Sequence, residues 1–400
     1  MSDTRISSNG QFQYSLNLML AKQSQLARTY QQVSTGSKMV TGADDPVGAG
    51  RSMEMERSLD RMSQYDENAH ALRSRLEQQE SVLAQADDLL SRARTLTIQA
   101  NNATLSDSDL ESIANEVASI REQLLALANT DDGAGSYLFG GTLDSNEPFT
   151  RNGSQVVYNG DQNQRRVQVG GSLQVADTVP GSEVFMRVRT GNGTLDASAD
   201  PGNAGTGVLM DFGVTDSAAW GQSRYRLVFT AEDAYEVQDA GGAVLATGGY
   251  APGDTIAYGG VRLRLAGEPA AGDAFEVGPA GARDVFATLD RLVAALGSPA
   301  TTPAEQASRQ NALQGSLRDV STAQAHFIDI RAEGGAGQSA LDGALQLNES
   351  RSVTTRTSLS QLRDLDYAEA LSRYSQESTA LAAAQKVFAQ LQQMSLFNQI

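Results

Sequence analysis

The chain has 400 residues, of which 40% are hydrophobic, and its net charge is −17. The acidic excess argues against nucleic acid as a partner, because that affinity comes largely from Lys and Arg, and equally against an anionic membrane surface. The absence of cysteine excludes disulfides, thiol catalysis and thiolate metal sites. No segment approaches the ~20 consecutive apolar residues of a membrane span, and we expect no secretory signal peptide.

The first predicted helix carries apolar residues at steps of three and four, which is a heptad seam on an amphipathic helix. The helix should end at Thr35-Gly36-Ser37, because Gly36 suits a left-handed C-cap. The seam residues are Phe12, Leu16, Met19, Leu26, Tyr30 and Val33.

Two further helices follow in the first third of the chain. Asp45 is a natural N-cap and Pro46 suits the first helical position, so the second helix should begin there. Its heptad stripe has no proline or glycine between Arg51 and Thr104. The capping cluster at residues 106–109 starts a third helix, which should end near Asn129. The short link between these two helices implies an antiparallel hairpin.

After Gly133 the apolar period falls towards two, and turn pairs such as Asn152-Gly153 punctuate the sequence. Short strands with such turns predict an all-β sandwich or barrel-like module. Residues 191–207 have few apolar side chains and are predicted to be an exposed loop. The predicted strands are 155–158, 165–169, 183–189, 224–230, 234–238, 261–265 and 274–277.

The helical period returns near Arg283, with a short helix that ends at Gly297-Ser298-Pro299. A second helix passes through Phe327, and the glycines at 334–337 should break it. The last long helix should begin near Ser339 and continue to Phe397. Its final seam consists of Leu371, Tyr374, Leu381, Phe388, Leu391, Leu396 and Phe397.

These patterns predict an α+β multidomain fold. The N- and C-terminal segments form a long antiparallel helical bundle or coiled coil, and an all-β module is inserted between them. The front and back helices share a heptad period, so the simplest burial places the two chain ends side by side. We predict that the two terminal seams serve packing between subunits.

No residue pattern supports a catalytic, cofactor or metal site, so we predict a non-enzymatic protein without a cofactor. His70 and His326 are the only histidines, and His70 should lie on a solvated helix face. There is no H-E-x-x-H motif, phosphate loop, calcium loop or G-x-S-x-G motif.

Several motifs resemble those of the bacterial flagellin family. Thr4-Arg5-Ile6-Ser7-Ser8-Asn9 is similar to the opening of flagellin-family proteins. Residues 33–38, followed by Asp44-Asp45-Pro46-Val47, resemble the S-S/T-G-K/R … D-D-P/A stretch of the family. Residues 92–102, which include Arg94, Gln99 and Asn101, look like its R-x-R-E-L-A/T-x-Q-A-x-N run, with Thr95 where Glu is usual.

A second group of motifs points away from the bulk filament subunit. The segment that contains Tyr137, Leu138, Phe139 and Gly140, followed by Pro148-Phe149, resembles the members of the family that join the hook to the filament. Residues 158–161 are also similar to that group. A filament flagellin is the close alternative, and a cytosolic coiled-coil scaffold is the remote one.

The resemblance implies a domain plan. Residues 1–45 with 364–400 would form an assembly domain that builds an inner tube. Residues 46–145 with 283–363 would form a helical rod domain, and residues 146–282 an outward-facing β domain.

The resemblance also implies partners and a location. The subunit would form a tubular homo-oligomer that contacts hook-associated protein 1 and flagellin. A cytoplasmic export chaperone would bind its C-terminal helix. The protein would reach the extracellular flagellum by type III export, without a cleaved signal peptide.

Overall fold

The computed structural model describes residues 8–102, 105–298 and 300–397, without the side chains of residues 8, 9, 11 and 391–397. Its helices are α1 Ser8–Thr35, α2 Pro46–Ala100, α3 Asp107–Ala128, α4 Ser217–Trp220, α5 Val285–Gly297, α6 Pro303–Arg363 and α7 Tyr367–Phe397. Its strands are β1 Phe149–Asn152, β2 Gln155–Tyr158, β3 Arg166–Gln168, β4 Gln174–Ala176, β5 Val188–Arg189, β6 Leu195–Ala199, β7 Val208–Val214, β8 Tyr225–Ala231, β9 Ala234–Asp239, β10 Val244–Gly249, β11 Thr255–Tyr258, β12 Val261–Ala266, β13 Ala274–Pro279 and β14 Ala282–Arg283.

The chain divides into two compact units. The terminal unit comprises Met1–Glu67 and Leu345–Ile400, and the central unit comprises Asn68–Ala344. The helices α2 and α6 each contribute residues to both units.

In the terminal unit, α1 lies antiparallel to α7, so the two chain ends pair as the heptad pattern predicts. The Phe12 ring lies 5.2 Å from the Phe388 ring, and the Tyr30 ring lies 6.3 Å from the Tyr374 ring. The start of α2 also runs antiparallel to the end of α6, where Arg363 Nη1 lies 2.9 Å from Glu56 Oε1.

The local helix signals lie where the sequence predicts them. Gly36 follows the last residue of α1 with a φ of +69°. The Gly48 N–H donates to Asp45 Oδ1 at 2.9 Å, so Asp45 caps α2 at Pro46. Ser106 and Asp109 form a capping box at the start of α3.

In the central unit, the helices α2, α3, α5 and α6 share one apolar core with the strands β1 and β2. Phe149 and Val156 pack in this core beside residues of α2, α3, α5 and α6. The helices α2 and α3 run antiparallel, with Arg92 Nε 2.7 Å from Glu116 Oε1. The predicted hairpin of helices is therefore confirmed.

A second apolar core lies within the β module, between Leu195 and Val277. A five-stranded antiparallel sheet has the order β10-β9-β8-β13-β6, and a three-stranded antiparallel sheet has the order β11-β12-β7. The burial of β12 alternates strictly along the strand, so its apolar side chains face one side. The predicted all-β module is confirmed.

One predicted strand and one predicted loop are wrong. Residues 183–186 of the predicted strand 183–189 belong to a π-helical turn, Ser182–Met186, and only Val188–Arg189 is a strand. Val184 and Phe185 are both fully buried, which a strand with one buried face cannot achieve for consecutive residues.

The predicted loop 191–207 contains β6, which pairs with β13. Leu195 and Ala197 are the buried positions of this strand, and Ala and Ser fill most of the rest. Because most of its residues are small or polar, this strand does not show the alternation of apolar residues by which strands are predicted. The sequence patterns also do not predict β1, β4, β7, β10, β11 and β14.

The predicted break at residues 334–337 is also wrong, because α6 continues through these glycines. A Cβ on Gly337 would lie 3.4 Å from Leu76 Cδ1 and 3.8 Å from Val175 Cγ1. Both distances are ordinary van der Waals contacts, so Gly337 packs against α2 and the β3–β4 hairpin without a steric need for glycine. This packing outweighs the low helix propensity of glycine.

The last helix is not continuous from Ser339 to Phe397, since α6 ends at Arg363 and α7 begins at Tyr367. Asp366 Oδ1 accepts hydrogen bonds from the N–H groups of Ala368 and Glu369, at 2.9 and 3.2 Å. Asp366 is thus an N-cap for α7, a signal that the apolar periodicity does not register.

Replacing Gly335 by alanine should stabilise α6. No atom lies within 4 Å of a Cβ at this position, so the substitution gains about 1 kcal/mol of helix propensity without a clash. Amide hydrogen exchange in residues 330–343 should slow by about fivefold. The control is Gly181→Ala, whose Cβ would lie 2.6 Å from Phe149 Cζ and should destabilise the central unit. Exchange that is unchanged or faster in Gly335→Ala would contradict this account.

Candidate interaction surface of the terminal helices

Two pairs of the predicted seam residues meet where α1 contacts α7, namely Phe12 with Phe388 and Tyr30 with Tyr374. Among the predicted seam residues with described side chains, Phe12, Tyr30 and Leu371 remain exposed. The side chains of Leu391, Leu396 and Phe397 lie outside the described residues. The half-buried members are Leu16, Met19, Leu26, Val33, Tyr374, Leu381 and Phe388.

A polar contact lies in the middle of this seam. Glu377 on α7 is 7% exposed and Thr29 on α1 is 3% exposed. The Thr29 hydroxyl donates to Glu377 Oε2 at 2.7 Å, and the Gln25 side-chain amide donates to Glu377 Oε1 at 2.9 Å. A buried carboxylate is tolerated only where hydrogen bonds replace its water, so this contact fixes one register of α1 against α7.

The apolar periodicity does not find this contact. Glu377 lies three residues after Tyr374 and four before Leu381, which is a seam position occupied by a polar residue. Thr29 lies three residues after Leu26 in the same way. A search for polar residues at seam steps would therefore have found both.

Pairing of α1 with α7 leaves much apolar surface uncovered. Of the large apolar side chains that are exposed among the described residues, twelve lie in the terminal unit and eight in the central unit, which is the larger of the two. Tyr14, Leu18 and Leu20 on α1 are 71%, 48% and 53% exposed. Clustered exposed apolar side chains are typical of an interaction surface.

The segment between α1 and α2 holds the Asp44-Asp45-Pro46 motif. Asp44 Oδ2 accepts hydrogen bonds from the N–H groups of Val40 and Thr41, at 3.1 and 2.8 Å. The hydrogen bond from the Thr41 backbone holds the pKa of Asp44 below its usual range. Asp44 therefore closes the loop as a charged acceptor, while Asp45 caps α2.

Backbone hydrogen bonds join this segment to the link between α6 and α7. The Lys38 N–H donates to the Arg363 carbonyl at 2.7 Å, and the Leu365 N–H donates to the Gly36 carbonyl at 2.9 Å. A Cβ on Gly36 would lie 2.7 Å from the Tyr367 hydroxyl oxygen. The positive φ favours glycine at this position, and any larger residue would also displace the Tyr367 hydroxyl.

The motif residues of α2 lie near the end of that helix. Arg94 is exposed, and its Nε donates to the Ser321 hydroxyl at 3.2 Å. The Gln99 side chain is exposed. The Asn101 N–H donates to the Thr97 carbonyl at 3.1 Å, so Asn101 closes the last turn.

The motif around Tyr137 belongs to the interior of the central unit. Leu138 is 1% exposed and Phe139 is fully buried. Tyr137, which is half-buried, forms an isolated bridge with Asp131. Gly140 has no room for a side chain, because a Cβ there would lie 2.8 Å from the Leu143 carbonyl oxygen. These residues shape the core rather than an exposed surface.

Charged residues hold the segment that contains this motif against α2. Arg75 Nη1 lies 2.8 Å from Asp132 Oδ2, and Arg75 Nε lies 3.1 Å from Asp177 Oδ1. Burial alone would raise the pKa of Asp132. Hydrogen bonds from the Ala134 and Ser136 N–H groups, together with the Arg75 guanidinium, outweigh it and lower that pKa. The contact is therefore an ion pair at neutral pH.

The two histidines have different surroundings. His70 is exposed, as predicted, and His326 Nε2 lies 2.8 Å from the Glu183 carbonyl oxygen. In the described part of the chain, no group of three or more His, Cys, Asp or Glu side chains could hold a metal ion. No described helix is long and apolar enough to cross a membrane.

The chain matches known families at both ends. The bacterial flagellin N-terminal helical region matches residues 6–144, and the bacterial flagellin C-terminal helical region matches residues 317–400. These two matches together cover more than half of the chain.

Three relatives agree with these matches. The chain is 24% identical to flagellar hook-associated protein 3 of Escherichia coli (strain K12), over 98% of each chain. The chain is 46% identical in sequence to Xanthomonas campestris FlgL, and it matches the crystal structure of that protein with a TM-score of 0.73. The match covers 76% of this chain and 99% of that chain. The flagellar hook associated protein-3 of Legionella pneumophila is 30% identical with a TM-score of 0.73, covering 78% of this chain and 98% of that chain.

Paired terminal helices, antiparallel rod helices and an inserted β module define a structural subunit of flagellin type. The chain belongs to the bacterial flagellin family, within its hook-associated protein 3 (FlgL) group, and is a structural component of the bacterial flagellum. The alternatives of a filament flagellin and a cytosolic coiled-coil scaffold are accordingly set aside.

Replacing Glu377 by alanine should weaken the pairing of α1 with α7. The change removes the charged acceptor that the Thr29 hydroxyl and the Gln25 amide share, and leaves the Thr29 hydroxyl only the longer contact with the Gln25 carbonyl at 3.2 Å. The loss of hydrogen bonds to a charged group costs about 1.5–3 kcal/mol. Hydrogen exchange of the α1 amides around Thr29 should accelerate. The control is Glu369→Ala on the same helix, which removes an exposed ion pair with Arg373 worth no more than about 1 kcal/mol. Equal exchange in the two variants would refute a role for Glu377 in this contact.

Proposed function

We propose that the chain joins the hook to the filament by packing the helices of its terminal unit against neighbouring subunits. The observation that carries this proposal is the concentration of exposed apolar side chains in the terminal unit. Burial of such side chains stabilises association by about 25 cal/mol for each Å² removed from water. Many weak contacts, summed around a ring of subunits, make a stable joint.

The proposed packing surface comprises the seam residues of α1 and α7 named above. It includes Leu391, Leu396 and Phe397, whose side chains the structure does not describe. Tyr30 and Leu371 are 61% and 52% exposed, so they are free to contact another subunit. The half-buried members hold α1 and α7 together, and they present these exposed side chains in a fixed register.

The domain plan has structural support at two points. The break between α6 and α7 lies at residues 364–366, next to the proposed boundary of the assembly domain. A separate apolar core runs from Leu195 to Val277, within the proposed outward-facing β domain of residues 146–282. The helices α2, α3, α5 and α6 make up the proposed rod domain of residues 46–145 and 283–363.

The partners follow from a position at the junction. The chain forms a tubular homo-oligomer, and contacts hook-associated protein 1 on one side and flagellin on the other. A cytoplasmic chaperone covers the C-terminal helix until export, because that helix carries apolar side chains that need a partner. The subunit leaves the cell by type III export without a cleaved signal peptide, functions outside the cell and catalyses no reaction.

Deletion of the gene in its source bacterium tests the junction role. The cells should make hooks without filaments and should shed flagellin into the medium, because the first filament subunits have no joint. Electron microscopy of the cells and immunoblotting of the medium measure both effects. Intact filaments in the deletion strain would refute the proposal, and expression of the wild-type chain serves as the control.

A single charged substitution tests the packing surface. Leu371→Asp should leave the circular dichroism of the purified monomer unchanged, because the side chain is 52% exposed. It should lower incorporation into flagella by about tenfold or more, because assembly would bury an unpaired charge. The matched control is Val244→Asp, at a side chain that is 51% exposed in the β module. Normal incorporation of Leu371→Asp would show that this surface is not used.

A further inference from the structure

The net charge of the chain is unevenly distributed. The terminal unit has 12 Lys and Arg against 13 Asp and Glu, whereas the central unit has 19 against 35. The terminal unit is therefore almost neutral, and nearly the whole acidic excess lies in the central unit. A subunit with this distribution can attract a second copy where a cationic part of one copy meets the acidic unit of another.

A groove in the terminal unit is such a cationic part. It lies between the beginning of α2 and the end of α6, and its volume is about 580 Å³. Arg51, Arg57 and Arg61 line it from α2. Short hydroxyl side chains line the groove from α6 and leave it open, namely Thr354, Thr355 and Ser358.

The three arginines are exposed and have no carboxylate partner among the described residues. No ion pair within 4.0 Å joins any of them to a described Asp or Glu, although Glu54 lines the same groove. Nearby arginines do have such partners, for example Arg363 with Glu56. Like charges spaced four residues apart on a helix, as at Arg57 and Arg61, repel each other. An anionic occupant would remove this repulsion.

The helices of the central unit carry acidic side chains, whose charge is opposite to that of the arginines in the groove. They are exposed, and no described cation lies within ion-pair distance of them. The guanidinium group binds carboxylates through paired hydrogen bonds, which suits a contact with side chains of this kind. These acidic residues include Glu77 and Asp88 on α2, Asp109 and Glu111 on α3, and Glu305, Asp329 and Glu333 on α6.

We propose that the arginine groove of one copy binds exposed acidic side chains on the helices of the central unit of a second copy. The contact joins different surfaces of the two copies, so repetition generates a ring or a helix rather than a closed pair. This inference rests on the proposed function, because it assigns one of the contacts between subunits in the flagellum. The charges set the register between copies, and the apolar terminal helices provide most of the affinity.

The absence of cysteine allows a direct test. A single Ser58→Cys substitution places a thiol in the groove, where a photoactivatable cross-linker can be attached. The Ser58→Cys chain is expressed in the deletion strain, and the flagella are isolated. The thiol is then labelled, the flagella are irradiated, and the cross-linked peptides are identified by mass spectrometry. We expect a dimer of this chain linked to a peptide from α2, α3 or α6 within the central unit. A link to a different flagellar protein, or no link, would overturn the proposal.

Charge reversal tests the role of the arginines. In the Ser58→Cys background, the triple variant R51E/R57E/R61E should lower the cross-linked fraction per incorporated subunit by about tenfold or more, because like charges would then meet. The matched variant R51K/R57K/R61K keeps the charge and should retain most of the cross-link. Equal cross-linking in the two triple variants would overturn the proposal.

The same flagella separate this inference from the proposed function. The amount of labelled chain in the isolated flagella, and the recovery of filaments, report the junction role without reference to the groove. Recovered filaments combined with a cross-link elsewhere would reject the arginine groove alone. Failure of the wild-type chain to restore filaments would reject the junction role itself.

Discussion

The antiparallel contact of α1 with α7 is the constraint on which the terminal unit depends. It joins residues 352 positions apart, such as Gln25 and Glu377, so the two chain ends must meet before either helix can bury its stripe. Apolar stripes alone permit several registers of nearly equal energy. The buried contact of Glu377 with Thr29 removes that degeneracy, because any shift would leave the carboxylate without hydrogen bonds.

The link between α6 and α7 adds a second constraint on the same contact. Two backbone hydrogen bonds attach residues 363–365 to the segment that leaves α1, and Gly36 permits the close approach of Tyr367. The end of α1 is therefore held beside the start of α7, at one end of their contact. The Phe12 and Phe388 rings meet towards the other end. With both ends and the middle fixed, the exposed faces of α1 and α7 are also fixed, and assembly depends on those faces.

The sequence predicts those features that short-range chemistry encodes, and it fails where distant residues decide. Asp45, Pro46 and the Ser106 capping box act within one turn, so the helix starts follow directly from the local sequence. The glycines at 334–337 look like a break, but the close packing of Leu76 and Val175 keeps that helix intact. Phe185 contacts the rings of Phe139, Phe149 and Phe327, and this clustering turns an apparent strand into a helical turn. In the candidate site, periodicity finds the apolar seam but omits Glu377, since a pattern of apolar residues assigns no role to a polar one.

The two units meet different physical requirements with different compositions. A free subunit with uncovered apolar helices tends to associate without specificity. The acidic excess of the central unit opposes this, because copies that approach each other at random bring like charges together. At physiological ionic strength such repulsion acts over about 8 Å, so it discriminates only between arrangements that are nearly in contact. The favoured arrangements are those in which apolar helix faces pack together while the acidic side chains of the two copies lie apart or pair with a cationic side chain. The distribution of charge along the chain therefore selects among the contacts that the apolar seams make possible.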